Sequence, residues 1–288
     1  MKRHLLLSVG DDLNSLYGVR FAGSFFKNKA DTHLTLFYVA PRYDAMDARE
    51  TGVQHPMDRK MAELYREKGQ AALDVSLRFL RDHGFVRDNL STKLIFKRHG
   101  TVKDIVEEGR AGLYDAVVLG RRGYTLFEGS LTNSVSREIM DRDIDFPLWI
   151  CRHPEMGRKN VLLCVDETEP SLRIADHVGF VLNHEDDHSV TLFHVDSGEG
   201  RNVDTILDQA HGQLTANGIP PERIKTVVKR HSKVVKAILE EVQSGAYAAV
   251  AVGRGGAQPK GMFKKWLIGS RSTNLLEILD KAALWVSK

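Results

Sequence analysis

Apolar positions along the chain follow two rhythms that alternate. Leu5 to Val9 is a short apolar run, and Thr32 to Val39 (THLTLFYV) alternates before ending in another, so both predict strands. Between them Val19, Ala22, Phe25 and Phe26 fall on one helical face of Leu16 to Phe26. Met61, Leu64, Tyr65, Ala72, Val75 and Phe79 recur at helical spacing, and Leu94-Ile95-Phe96 returns to a strand. Val102, Ile105 and Val106 predict a further helix, Ala116 to Leu119 a strand, and Leu131, Val135 and Ile139 a last helix before Pro147-Leu148-Trp149-Ile150. The first half therefore reads as five strands separated by helices.

The second half repeats this order. Val161 to Val165, Val190 to Val195, Ile224 to Val228, Ala248 to Val252 and Ala283 to Val286 predict strands. The helices between them lie near Leu172 to Leu182, along Val203 to Leu214, over Val234 to Val242 and over Leu275 to Leu279. Leu5 corresponds to Val161 at an offset of 156, whereas Gly120 corresponds to Gly253 at 133, so the first half carries 23 additional residues. The polar, poorly periodic stretch Pro41 to Pro56 is where we place them. Arg152 to Lys159, with Pro154 and Gly157, reads as a linker, giving domains at 1–152 and 158–288. Alternating strands and helices predict an α/β architecture, two tandem doubly wound domains, each with a five-stranded parallel sheet covered on both faces. Ligands of such sheets gather at the carboxyl ends of strands where the strand order reverses.

Composition narrows the field without choosing within it. Hydrophobic residues make up 42% of the 288 and charged residues 27%, which excludes wholesale disorder. A net charge of +3 is too small for a chain built to neutralise a nucleic-acid backbone. The longest apolar stretches, such as Ala246 to Val252, reach seven residues, too few for a membrane-spanning helix. The start Met1-Lys2-Arg3 is followed by Leu5-Leu6-Leu7, but Asp11-Asp12 soon ends the run, so it predicts a first strand and not a secretory leader. Cys151 and Cys164 are expected as buried small hydrophobes in a reducing compartment, and the cytoplasm is the expected location.

Two glycine-bearing segments follow the fourth strand of each half. The first runs from Gly120 through Gly123 to Gly129-Ser130, the second from Gly253 through Gly256 to Gly269-Ser270, and each leads into a helix. Glycines let backbone N–H groups approach an anion, and a serine at a helix start caps it or donates to a phosphate. The common nucleotide fingerprints are absent. Gly256 to Gly261 is followed by Met262-Phe263 where a P-loop needs Lys-Ser/Thr, and Gly253-Arg-Gly255 reaches Gln258 where a dinucleotide fold needs glycine.

At these segments the chain resembles the universal stress protein family, over essentially its whole length and as two copies. The family's nucleotide-binding members carry Gly-x2-Gly-x9-Gly-Ser/Thr after the fourth strand of a sheet ordered 3-2-1-4-5. Leu162-Leu163-Cys164-Val165-Asp166 is similar to the family's first strand and its aspartate, and Thr191 to Val195 to its second strand. The resemblance implies that Asp166 bonds the nucleoside of ATP or a related adenine nucleotide and that Val195 lines the base pocket. It further implies that Gly253 and Gly256 approach ribose and phosphate, and that Gly269 and Ser270 hold the phosphates. The corresponding first-half residues are Val39, Gly120, Gly123, Gly129 and Ser130. Both halves depart from the pattern. Twelve residues separate Gly256 from Gly269, only five separate Gly123 from Gly129, and Gly10 stands where the first half would need the aspartate. The second half is therefore the better nucleotide candidate.

The remaining clusters have plainer readings. Arg121, Arg122, Arg254, Lys260, Lys264 and Lys265 lean the two loops towards an anion. Lys225 to Lys236 holds five basic residues, which a strand and a helix with outward lysines explain without nucleic acid. His184-Glu-Asp-Asp-His188, with His177 upstream, is metal-capable, yet it sits in a polar segment and no functional metal site is assigned to it. His194, at a strand end, is read as packing. Ser130 and Ser270 lack an evident base, so no dedicated catalytic centre is expected and at most weak ATP hydrolysis. Trp149 and Trp285 hold corresponding positions in the fifth strands, which in the resembling family pair across a dimer. That implies an intrachain pseudo-dimer, with a homodimer left open. The function expected is a cytoplasmic stress-response regulator with a protein partner; the alternatives are a scaffold without nucleotide and a slow ATP hydrolase.

Overall fold

The computed structural model describes residues 2–12, 16–42, 56–120, 135–140, 142–198, 200–254, 275 and 278–288. In the first half β1 (Arg3–Val9), α1 (Tyr17–Phe25), β2 (Thr32–Ala40), α2 (Pro56–Asp82) and β3 (Leu90–Phe96) are followed by α3 (Thr101–Ala111), β4 (Ala116–Gly120), α4 (Val135–Met140) and β5 (Leu148–Cys151). The second half holds β6 (Asn160–Cys164), α5 (Glu169–Leu182), β7 (Val190–Asp196), α6 (Val203–Ala216), β8 (Ile224–Arg230), α7 (Val234–Ser244), β9 (Tyr247–Gly253) and β10 (Ala283–Ser287). The strands form one ten-stranded sheet in the order β3-β2-β1-β4-β5-β10-β9-β6-β7-β8. Each half is thus ordered 3-2-1-4-5, as expected, and every pairing within a half is parallel.

The strand cores are apolar on both faces because helices cover both. Leu5, Leu6 and Leu7 of β1 are fully buried, and so are Val161, Leu162 and Leu163 of β6. One face carries α1, α2, α5 and α6 through residues such as Phe21, Leu73, Val178 and Leu214. The opposite face carries α3, α4 and α7 through Ile105, Ile139 and Ile238. The alternation in Thr32 to Val39 does not mark a solvated face, because Leu34, Leu36, Phe37 and Thr35 are all buried. The additional first-half length is also distributed differently from the expectation. Helix α2 has 27 residues against 14 in α6, so much of the difference is helix, while 43–55 lie outside the described residues. Among the described residues no helix is long and apolar enough to cross a membrane.

The halves meet where β5 and β10 pair antiparallel, with Trp149 directly opposite Trp285. The two indoles stack with centroids 4.0 Å apart, and both are fully buried. Pairing the two fifth strands removes two open sheet edges at once. The halves are not equivalent at this seam. His177 of α5 and Phe21 of α1 occupy corresponding helix positions beside the indole pair. Trp149 Nε1–H donates to His177 Nε2 at 3.0 Å, whereas buried Trp285 Nε1 has no hydrogen-bond acceptor among the described residues.

Burial pushes the His177 imidazole down to about 3 from 6.5, and the ring must stay neutral to accept from Trp149. The unfolded chain takes up a proton below pH 6.5 that the folded chain refuses, so acid selectively stabilises the unfolded state. Stability linked to His177 is complete above pH 6.5 and falls by about 1.4 kcal/mol per pH unit towards the folded value. Urea midpoints at pH 7 and pH 5, compared between wild type and His177→Phe, should show a flatter pH response in the variant by about 2 kcal/mol. Equal pH responses would contradict a buried neutral imidazole.

Candidate functional site

Strand order reverses around β6, which has β7 on one side and β9 on the other. Cys164 lies beside Phe193 of β7 and Val252 of β9, so Asp166, Val195 and Arg254 each follow two residues beyond that level. Asp166, Val195 and Gly253 are thereby brought to the carboxyl edge of three adjacent strands. Gly256, Gly269 and Ser270, together with Lys260, Lys264 and Lys265, lie outside the described residues.

Asp166 is held by the turn that starts α5. It is buried, with 5% of its surface exposed. Its Oδ1 accepts the Thr168 backbone N–H at 2.9 Å and the Thr168 hydroxyl at 2.5 Å. Its own N–H donates to Ser171 Oγ at 2.9 Å, and the Ser171 N–H donates back to Thr168 O at 3.0 Å. The sequence Asp-Glu-Thr-Glu-Pro-Ser thus folds on itself before Pro170, a residue suited to the first helical turn. Burial raises the Asp166 carboxyl above the ordinary aspartate range; the Thr168 bonds oppose that shift, Glu167 adds to it and Arg201 subtracts. Arg201 Nη1 donates to Glu167 Oε2 at 2.5 Å, placing a cation beside the same turn.

Gly253 has a structural task independent of any ligand. A Cβ there would lie 2.5 Å from the Pro170 carbonyl carbon and 2.6 Å from the Pro170 oxygen and the Ser171 nitrogen. Only a residue without a side chain lets the end of β9 close on the first turn of α5. Val195, 8% exposed, packs with Cys164 and Val252 on the face covered by α7. His194 is packed between strands, as read: it is buried, and its Nδ1–H donates to Val165 O at 2.9 Å.

The first half offers a different crevice. Gly10 follows β1 where Asp166 follows β6, Asp11 is exposed, and Leu16 at the start of α1 makes no side-chain cap. Val39 is half-buried at the end of β2, and Gly120 lies beside Cys151. Here the close approach is made from the helix, since a Cβ on Gly18 would come within 3.2 Å of Val118 and 3.4 Å of the Gly120 nitrogen. Gly123, Gly129 and Ser130, with Arg121 and Arg122, lie outside the described residues.

The His184 to His188 segment is not a polar surface turn. Glu185 and His188 are buried, and His188 Nε2–H donates to the Phe25 carbonyl at 2.9 Å, at the end of α1. Burial lowers the His188 pKa, and Glu185 opposes that shift. Glu185 faces Arg3 at 2.8 Å, and its Oε2 accepts the N–H groups of Lys27 at 2.8 Å and Asn28 at 3.3 Å. The segment joins the halves. Basic residues of Lys225 to Lys236 sit on β8 and α7, where Lys229 and Lys236 reach Glu240 at 2.5 and 3.7 Å.

Thr168, Ser171 and Arg201 are missing from the sequence reading. The first two were legible as a helix-start pattern beginning at the aspartate, whereas Arg201 carries no local signal.

No protein-family model matches the sequence, and no curated protein matches it. Solved structures do match the fold. A universal stress protein from Archaeoglobus fulgidus DSM 4304 is similar over 99% of this chain and 96% of its own, with a TM-score of 0.71 and 19% identity. A protein provisionally assigned as a universal stress protein from Pseudomonas aeruginosa UCBPP-PA14 covers 100% of this chain and 93% of its own, at a TM-score of 0.53 and 14% identity. A functionally unknown protein from Pseudomonas aeruginosa PAO1 is similar to the same degree, at a TM-score of 0.53 and 14% identity. The resemblance read from the glycine segments is therefore a resemblance of fold, and it extends through both halves.

Proposed function

We propose that this chain is a stress-response regulator of the universal stress protein type, with domains at 1–152 and 158–288, that binds ATP or a related adenine nucleotide in its second half. The observation that carries the reading is Asp166: a buried carboxyl at the strand-order reversal, oriented before any ligand arrives by Thr168 and Ser171. A carboxylate so placed accepts from the hydroxyls of a ribose without paying to reorganise. Val195 supplies an apolar wall beside it, and the segment from Gly253 to Ser270 supplies glycine backbone and lysines for phosphate. The first half, with Gly10 in place of the aspartate, is the degenerate partner. Nucleotide binding would bias the protein towards one conformation and so select its protein partner, which requires different partner affinities for the occupied and empty states. The cytoplasm is the compartment that supplies both nucleotide and reducing conditions.

The twelve-residue spacing between Gly256 and Gly269 favours a second reading, a scaffold that acts through protein contacts without nucleotide. Calorimetric titration of nucleotide-stripped protein with ATP separates the two. The expected result is one site per chain, weakened about 10-fold or more in Asp166→Ala, the loss that accompanies removal of a hydrogen bond to a charged group. Asp166→Asn keeps an acceptor for Thr168 and controls for folding. Two sites would assign a working pocket to the first half as well. No heat at millimolar ATP would leave the scaffold.

A further inference from the structure

Two histidines of the second half make buried hydrogen bonds to the first. His177 Nε2 accepts the Trp149 indole N–H at 3.0 Å, and His188 Nε2–H donates to the Phe25 carbonyl at 2.9 Å. The two residues are 7% and 1% exposed. At the offset of 156 that relates the halves, the first half carries Phe21 and Thr32, which do not titrate near neutral pH. Neither imidazole has a place for a second proton. His177 Nε2 already faces an N–H, and His188 Nδ1 is buried without a hydrogen-bond partner among the described residues. Around His177 lie the indoles of Trp149 and Trp285, and burial is what lowers its pKa to about 3. His188 meets the Phe25 ring edge-on at 4.7 Å. Burial lowers the His188 pKa, and Lys159 and Arg223 add to that; Glu185 and the Phe25 carbonyl oppose it without overcoming it. Asp187, which Lys27 of the first half and Lys159 hold at about 2, stays ionised between pH 5 and 7 and so does not answer to pH there.

We propose that the seam is an acid-sensitive latch: protonation of His177 and His188 parts β5 from β10 and the end of α1 from the segment after α5, while each half keeps its fold. The closed seam holds both rings neutral; the parted halves expose them to water, where each takes a proton below pH 6.5. Acid therefore favours the open form, and the latch is fully closed above pH 6.5. His177 alone raises the open fraction about 30-fold between pH 7 and pH 5, a tenfold gain for each pH unit below 6.5. His188 adds to this. What opens is a pair of sheet edges, β5 and β10, with the two indoles on one face. The latch is independent of any nucleotide.

The two cysteines of the chain report on the latch. Cys151 ends β5 at the seam and is fully buried, whereas Cys164 ends β6 inside the second half. Native-state thiol labelling of the full chain, read separately for each cysteine by mass spectrometry and normalised to a free thiol peptide at the same pH, measures how often each site opens. Between pH 7 and pH 5 the protection of Cys151 should fall by more than about 30-fold, and that of Cys164 by less than about 3-fold. In His177→Phe, which installs the first half's residue, the Cys151 response should shrink by about 30-fold; adding His188→Gln, which keeps a donor for the Phe25 carbonyl, should flatten it. Equal loss of protection at both cysteines would mean that acid unfolds the whole chain, and would overturn the latch. So would a Cys151 site indifferent to pH, or one whose response survives in His177→Phe, a single variant that tests the idea even if the double variant does not fold.

Discussion

Trp285→Asp is expected to lower the unfolding free energy by more than about 4 kcal/mol, the largest effect of any single change considered for this chain. Removing a buried tryptophan side chain costs about 3–5 kcal/mol through lost transfer energy and the cavity left behind. Aspartate adds the desolvation of a carboxyl among the rings of Phe21, Phe25 and Trp149. Because Trp285 is opposite Trp149 in the antiparallel pair, the damage falls on the seam and not on one half. With a total stability of about 5–15 kcal/mol for a protein domain, the variant should unfold at a much lower urea concentration, and its halves should be released from one another. Trp285→Phe, which retains an aromatic ring, should recover part of the loss. A Trp285→Asp protein with the wild-type urea midpoint would show that the indole pair does not hold the halves together.

Glu185→Ala should cost about 3–5 kcal/mol, because it removes one partner of a buried ion pair and leaves the other. Arg3 and Glu185 are 1% and 0% exposed, at 2.8 Å. Arg3 also donates to Val181 O at 2.6 Å and Asn28 O at 3.0 Å, and its guanidinium lies 4.8 Å from the centre of the Phe26 ring. Without the carboxylate that cation stays in place with its countercharge gone, and the N–H groups of Lys27 and Asn28 lose their acceptor. Replacing both partners by apolar residues, Arg3→Met with Glu185→Leu, should cost less than Glu185→Ala alone, since no uncompensated charge remains. Urea unfolding of the single and double variants checks this. A single variant within about 0.5 kcal/mol of wild type, the range of ordinary surface changes, would mean that water reaches the pair.

The sites of these two changes differ in how far they could be read in advance. Trp149 and Trp285 stand at matching places in a repeat, and the resemblance places both in edge strands that pair with a counterpart, which implies that they meet. Nothing comparable marks Arg3 or Glu185. Arg3 looks like an N-terminal charge, and Glu185 sits in His-Glu-Asp-Asp-His, whose composition suggests solvent or a metal. Their burial depends on the ends of α1 and α5 coming together, a contact between residues 182 positions apart.

The same division runs through the candidate site. Strands, helices, their order and the two-fold repeat were legible because hydrophobic periodicity is local: each element needs only its own residues to show which faces are apolar. Asp166, Val195 and Gly253 were legible as a set through the resemblance, which implies the order of the strands they follow. The task of Gly253 was not, since the reason it cannot carry a side chain is the backbone of Pro170 and Ser171, more than 80 positions earlier. Nor was the difference between the halves at the seam, where His177 serves one indole and Phe21 faces the other. By itself the sequence determined the elements and their succession. Only the tertiary structure decided which polar groups are buried and what satisfies them, because desolvation and hydrogen bonding depend on neighbours that folding brings from the other half of the chain.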